Sequence, residues 1–254
     1  MSTSAARREE LKAVYAEAGG CTRCPELART RTQVVFGAGN ADADLMLVGE
    51  APGAREDEQG IPFVGAAGKL LDELLEQIGL GRSDVFIQNV LMCRPPGNRD
   101  PLPAEIDNCQ EYLLRKIELI EPRVICTLGN FATKLLRGDT TGISRLHGQA
   151  EIRVIGTRAV RLYPLFHPAA ALYTRSLADT LRADFARLPG LLALAPPEPP
   201  ASPASLASPA SPEPPEPPQP ASPQPEPAEP QAAVAADSPE PETGEAHARQ
   251  LGLF

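Results

Sequence analysis

The chain has 254 residues and carries 24 Lys and Arg against 33 Asp and Glu, a net charge of -9. Nine of those acids and a single Arg fall in residues 191–254, so residues 1–190 hold 24 acids against 23 bases, a balance that neither draws nucleic acid through a global field nor excludes it. No apolar run nears the roughly 20 residues that cross a bilayer, and the opening MSTSAARREELKAVY is charged where a signal peptide is apolar, so a cytoplasmic protein with five reduced cysteines is expected.

In chain order, Cys21 and Cys24 come first, a C-x2-C pair in a Gly-Gly-Cys loop that aims two thiolates at one point. A short apolar run at residues 45–48 predicts a strand, followed by the loop GEAPG at residues 49–53. Residues 69–78 (KLLDELLEQI) put Leu70, Leu71, Leu74, Leu75 and Ile78 on one helical stripe. A second strand is predicted over 85–92, with Asn89 toward its end and Cys93 just beyond. A helix then runs over 104–120 after Pro103 and carries Cys109. Residues 124–128 predict a third strand, which buries Cys126 as an ordinary small apolar residue. Another helix follows Gly129, a fourth strand covers 160–166 and leads into His167, and a last helix covers about 177–188.

Strands alternating with helices imply right-handed crossovers and an α/β fold: a three-layer α/β/α sandwich around a four-stranded, mainly parallel sheet. Ligands of such sheets bind where the strands end in loops. GEAPG, Asn89 and His167 all fall at that edge. Cys93 and Cys109 can close a four-sulfur site with Cys21 and Cys24, a donor set that serves zinc and iron-sulfur clusters alike.

Taken together the motifs resemble the family 4 uracil-DNA glycosylases. The matching residues are the C-x2-C pair, GEAPG-x2-ED (residues 49–57), GIPFVG-x2-G-x-LL (60–71), Asn89 followed by CRPPxNR (93–99), Cys109, and FHP (166–168), which together span about residues 20–175 in the family's order. The resemblance implies excision of uracil from DNA by hydrolysis of the base–sugar bond, and a 4Fe-4S cluster on Cys21, Cys24, Cys93 and Cys109. It implies that Phe63 stacks on the extruded base. Asn89 suits uracil, accepting from N3-H and donating to O4, a pattern cytosine cannot meet. His167, helped by the Ala51 amide, suits the negative charge that develops on uracil O2.

The best-known uracil glycosylases carry an Asp where Ala51 stands, so the attacking water needs another acid. Glu50, Glu56 and Asp57 are available; Glu56 is expected to position the water or screen C5 of the base, and Glu50, with Ala51 and Pro52, to shape the pocket. Leu172 or Tyr173 is expected to wedge into the gap left by the base and Arg175 to touch a phosphate, with Arg94, Arg99, Lys134 and Arg145 as a basic rim. His147, in RLHG, lies near the place where related family X enzymes carry a histidine that traps the sugar covalently, but the short loop and GEAPG favour turnover. Rival readings are a non-catalytic, metal-stapled DNA-binding scaffold and a zinc-containing nucleotide-binding protein, the latter disfavoured because no Walker or GxGxxG phosphate loop is present.

The folded domain is expected over residues 1–190, a monomer without a membrane span. Residues 191–246, rich in Pro, Ala and Glu, predict a disordered, polyproline-like spacer. Residues 247–254 close on Gln250-Leu251-Gly252-Leu253-Phe254, which resembles the peptide that binds the sliding clamp β subunit. Its Leu251, Leu253 and Phe254 would fill apolar pockets and Gln250 would anchor by hydrogen bonds. Such a tether would keep the protein with the nucleoid.

Overall fold

The computed structural model describes residues 3–198. These form a six-stranded sheet in the order β1-β3-β2-β4-β6-β5, where β1 is Ala38–Gly39, β2 Leu45–Gly49, β3 Val85–Asn89, β4 Val124–Leu128, β5 Glu151–Ile155 and β6 Arg158–Leu165. The four central strands are parallel and coincide with the four apolar runs of the sequence. Two antiparallel edge strands extend that predicted sheet. β1 is too short for a hydrophobic period, and β5 alternates charged and apolar residues with Ile152 and Val154 about half exposed, so neither reads as a buried strand. β3 stops at Asn89, three residues before its predicted end. Beyond it the amides of Val90 and Leu91 donate to the Gly49 and Glu50 carbonyls, which keeps the two loops side by side.

Because strand side chains alternate, β2 sends Leu45 and Leu47 to one face and Met46 and Val48 to the other. The first face packs on α4 (Ala66–Gln77), α8 (Pro168–Ala171), α9 (Arg175–Phe185) and α10 (Leu188–Ala193). The second packs on α2 (Pro25–Thr30), α5 (Pro103–Ile120) and α6 (Asn130–Arg137). The α/β/α sandwich follows from this two-sided burial. α1 (Ser4–Gly19) lies against α5 and buries only Val14 and Ala18, too little to mark it in the sequence. Two short helices, α3 (Ala54–Gln59) and α7 (Ile143–Leu146), complete the described fold. The predicted boundary at residue 190 falls inside α10, whose Leu191 and Leu192 pack on the core. Most of the proline-rich segment and the whole C-terminal peptide, Gln250, Leu251, Leu253 and Phe254 included, lie outside the described residues.

Candidate active site

A cleft of about 210 Å³ opens at the carboxyl edge of the sheet, lined by Glu50, Ala51, Pro52, Glu56, Phe63, Asn89 and His167 together with Pro95, Asn98 and Arg99. It is smaller than the roughly 300–1,000 Å³ typical of pockets for drug-sized ligands, the scale of a single ring. Strand register creates the convergence: Gly49 and Asn89 are paired ends of β2 and β3. A Cβ on Gly49 would stand 2.4 Å from Asn89 Oδ1 and 2.7 Å from Phe63 Cζ, so glycine there lets amide and ring share one wall.

Asn89 is 3% exposed, and its Oδ1 is buried without a hydrogen-bond partner. An orphaned acceptor of this kind costs about 1–3 kcal/mol and calls for a donor that the protein itself does not supply. Phe63 sits in the left-handed region at φ 54°, an unusual conformation for a bulky residue. Its loop is overdetermined: Arg82 donates to the Pro62 and Phe63 carbonyls, Glu56 Oε1 takes the amides of Val64 and Gly65 at 3.0 Å each, and Gly68 comes so close that a Cβ would overlap the Phe63 carbonyl. Strain held by so many ties is a mark of a preorganised site.

His167 stacks on Phe63 with ring centroids 5.6 Å apart and planes 28° apart. Its Nδ1 accepts from the Ala169 amide at 3.1 Å, which assigns the proton of the neutral ring to Nε2. Burial pulls its pKa down to about 4 against a small opposing effect of the Glu56 charge, so the ring is a neutral donor at physiological pH. Gly129, at φ 92°, lets the chain pass His167 where a Cβ would come within 3.2 Å.

The three acids of GEAPG-x2-ED are treated differently. Glu50 lines the cleft, and burial, reinforced by the charge of Asp100, raises its pKa to about 7. Glu56 also lines the cleft, but its Oε1 is committed to the amides of the Phe63 loop. Asp57 is buried and accepts the Thr32 amide at 3.0 Å on both oxygens, a structural tie.

Cys21, Cys24, Cys93 and Cys109 all line a second, narrow pocket between α1, α2 and α5 with no His, Asp or Glu beside them, whereas Cys126 is buried in β4. Arg31 donates to Cys93 Sγ at 3.2 Å and Asn108 to Cys24 Sγ at 3.6 Å. Burial raises the Cys109 thiol to about 11. Among the described residues no three His, Cys, Asp or Glu side chains close on one point as ligands of a single ion do. The donor set is purely sulfur and already attended by outer hydrogen bonds, which fits a thiolate-bound centre.

Leu172 and Tyr173 follow α8 directly and are 38% and 88% exposed, and Arg175 is exposed at the start of α9. Lys134 and Arg145 are exposed; Arg94 bonds Asn98. Arg99 departs from the expected phosphate rim, because its guanidinium is held by Glu105 and Glu26. His147 packs on the Phe166 ring, has Nδ1 2.8 Å from Asp184 Oδ2, and is absent from the cleft lining, so the covalent role weighed for it has no footing in the geometry. The sequence reading missed Arg82, Asp100 and the inward turn of Pro95 and Asn98; CRPPxNR marked this last segment without saying which way it faces.

A family model for the uracil DNA glycosylase superfamily matches residues 36–188. The type-4 uracil-DNA glycosylase of Archaeoglobus fulgidus is 45% identical over 185 residues, 71% of this chain and 92% of that protein. Its namesake in Thermotoga maritima is 44% identical over 171 residues, 66% and 87% of the two chains. A type-5 uracil-DNA glycosylase of Pyrobaculum aerophilum is 30% identical over 201 residues, covering 64% and 86%.

Proposed function

We propose a mechanism from one premise: the chain belongs to the type-4 uracil-DNA glycosylases, and its reaction is the excision of uracil from DNA. The observation that carries it is the buried, unpartnered Oδ1 of Asn89 in a ring-sized cleft. Uracil, flipped from the duplex, stacks on Phe63 and gives its N3-H to that oxygen, while the Asn89 amide nitrogen donates to O4. Cytosine has an acceptor at N3 and an amino group at C4, so it meets two mismatches.

As the C1′–N1 bond breaks, its electron pair passes into the ring and charge grows on O2, where the Nε2-H of His167 donates. Glu50, with its pKa about 7, orients the attacking water. Water oxygen bonds to C1′, its proton passes through Glu50 to the departing base, and an abasic sugar remains. Ala51 and Pro52 shape the wall, and Glu56 acts through the Phe63 loop. Leu172 or Tyr173 fills the vacated stack and Arg175 meets a phosphate.

Cys21, Cys24, Cys93 and Cys109 would hold a 4Fe-4S cluster, a choice over zinc that rests on the family, since the donor set suits both. When bound, the cluster supplies a redox-active staple across the segments that carry the four cysteines. For the remainder of the chain the reading rests on sequence alone. Residues 199–246 act as a spacer, and Gln250, Leu251, Leu253 and Phe254 dock on the sliding clamp, which keeps a monomeric enzyme at cytoplasmic, nucleoid DNA.

Incubation with a uracil-containing oligonucleotide followed by alkali should cut the strand at uracil alone, and an uncut strand overturns the reading. A violet absorbance band in the purified protein, abolished by Cys24→Ser and retained by Cys126→Ala, is expected of the cluster; a colourless, zinc-loaded protein overturns that part.

A further inference from the structure

Arg99 belongs to the cleft lining, yet its guanidinium serves other partners. Nη1 donates to Glu105 Oε2 at 3.0 Å and Nη2 to Glu105 Oε1 at 2.7 Å, a bidentate pair, and Nη2 also reaches Glu26 Oε2 at 2.8 Å. Glu105 stands in the first turn of α5, four residues before Cys109, and its side chain is only 8% exposed. Glu26 stands in the first turn of α2, two residues after Cys24. Cys93 begins the strap that contains Arg99, and Pro95 and Asn98 of the same strap also line the cleft. Bidentate pairing to a largely buried carboxylate fixes geometry far better than an exposed ion pair does.

One guanidinium thus joins the wall of the cleft to both helices that follow or carry cysteines of the second pocket. We propose that Arg99 is a positioning residue that couples the uracil cleft to the cysteine centre, so that affinity for uracil depends on the integrity of that centre. The proposal rests on the uracil-cleft reading above. In it, Arg99 touches no reacting atom and acts on binding through residues 95–99.

The test uses the iron-loaded full chain, with Kd measured on DNA bearing a non-hydrolysable 2′-fluorinated deoxyuridine, KM and kcat on uracil DNA, and the violet absorbance of the cluster. Arg99→Leu should weaken Kd and raise KM about tenfold with kcat within about twofold and the absorbance retained. Arg99→Lys keeps the charge but loses the fork, so it should stay impaired. Glu105→Gln, outside the cleft, should shift Kd in the same direction, and the Arg99→Leu/Glu105→Gln pair should bind no worse than Arg99→Leu alone. Partial removal of iron from the wild type should lower affinity in step with the absorbance, and the same removal from Arg99→Leu should lower it far less.

Independent, multiplying effects of the two substitutions overturn the proposal, as does a fall in kcat at unchanged KM, or wild-type affinity in Arg99→Leu. Should Glu105→Gln fail to fold, Glu26→Gln at the exposed end of the clamp carries the same non-additivity test. A wild-type chain that neither binds nor cuts uracil DNA overturns the glycosylase reading instead, a result distinct from a wild type that binds and variants that do not couple.

Discussion

The cleft and the cysteine pocket share the strap that starts at Cys93, but they treat polar atoms in opposite ways. Around the cysteines the polar groups are paired: Arg31 to Cys93, Asn108 to Cys24 and to the Arg23 carbonyl, and Arg23 to Glu111. In the cleft the amide oxygen of Asn89 has no partner, Glu50 ionises late, and Phe63 is held in a strained turn. A paired set of polar groups builds a scaffold, whereas unpaired and perturbed groups in a concave site wait for a ligand. A related contrast separates Glu50 from Glu56, whose Oε1 is tied to the Phe63 loop, and His167, which lines the cleft, from His147, which is tied to Asp184.

The largest expected effect tests the second of these pairs. His167→Ala should lower kcat by about 100-fold to 1,000-fold, the usual cost of one donor to developing charge. His147→Asn should leave single-turnover cleavage within about threefold, since its ring faces Asp184 rather than the cleft. A His147 variant that loses as much rate as the His167 variant would erase the distinction.

A smaller effect separates the acids. Glu50→Gln should lower kcat by about 100-fold and remove the acid limb of the pH–rate profile near pH 7, whereas Glu56→Gln should keep that limb and lower Tm. Stability gives an independent reading. A folded-state pKa of about 7, above the ordinary 4.5, means that folding favours protonated Glu50, so its contribution to stability declines as pH rises from 4.5 through 7. Glu50→Gln should therefore raise Tm at pH 8 and leave it unchanged at pH 4. Thermal melts with no pH dependence to the difference would remove Glu50 from its assigned role. His167, with its folded pKa lowered to about 4, contributes in the other direction, and its share of stability is lost only as pH falls from 6.5 through 4.

The smallest effect concerns the rim. Leu172→Ala should slow cleavage in duplex DNA a few-fold and leave single-stranded DNA unaffected, because only a duplex presents a gap to fill. Equal losses on both substrates would make Leu172 part of the cleft's packing instead.

The sequence by itself determined the architecture's centre and which residues gather at the carboxyl edge of the sheet. Four short apolar runs alternating with helical stripes point to a parallel sheet covered on both faces, KLLDELLEQI has the period of a one-sided helix, and GEAPG, Asn89, FHP and the four cysteines carry their own spacing. Local periodicity and residue chemistry are properties of short segments, so they survive in one dimension. What each polar atom is paired with was decided only in three dimensions. Glu50 and Glu56 look equivalent in GEAPG-x2-ED until one oxygen of Glu56 meets the amides of Val64 and Gly65. Arg99 looks like a phosphate contact until Glu26, 73 residues away, closes on it. Edge strand β5 emerges only through its pairing with β6. Long-range pairing sets desolvation, ionisation and hydrogen-bond direction, and none of these is a property of a short segment.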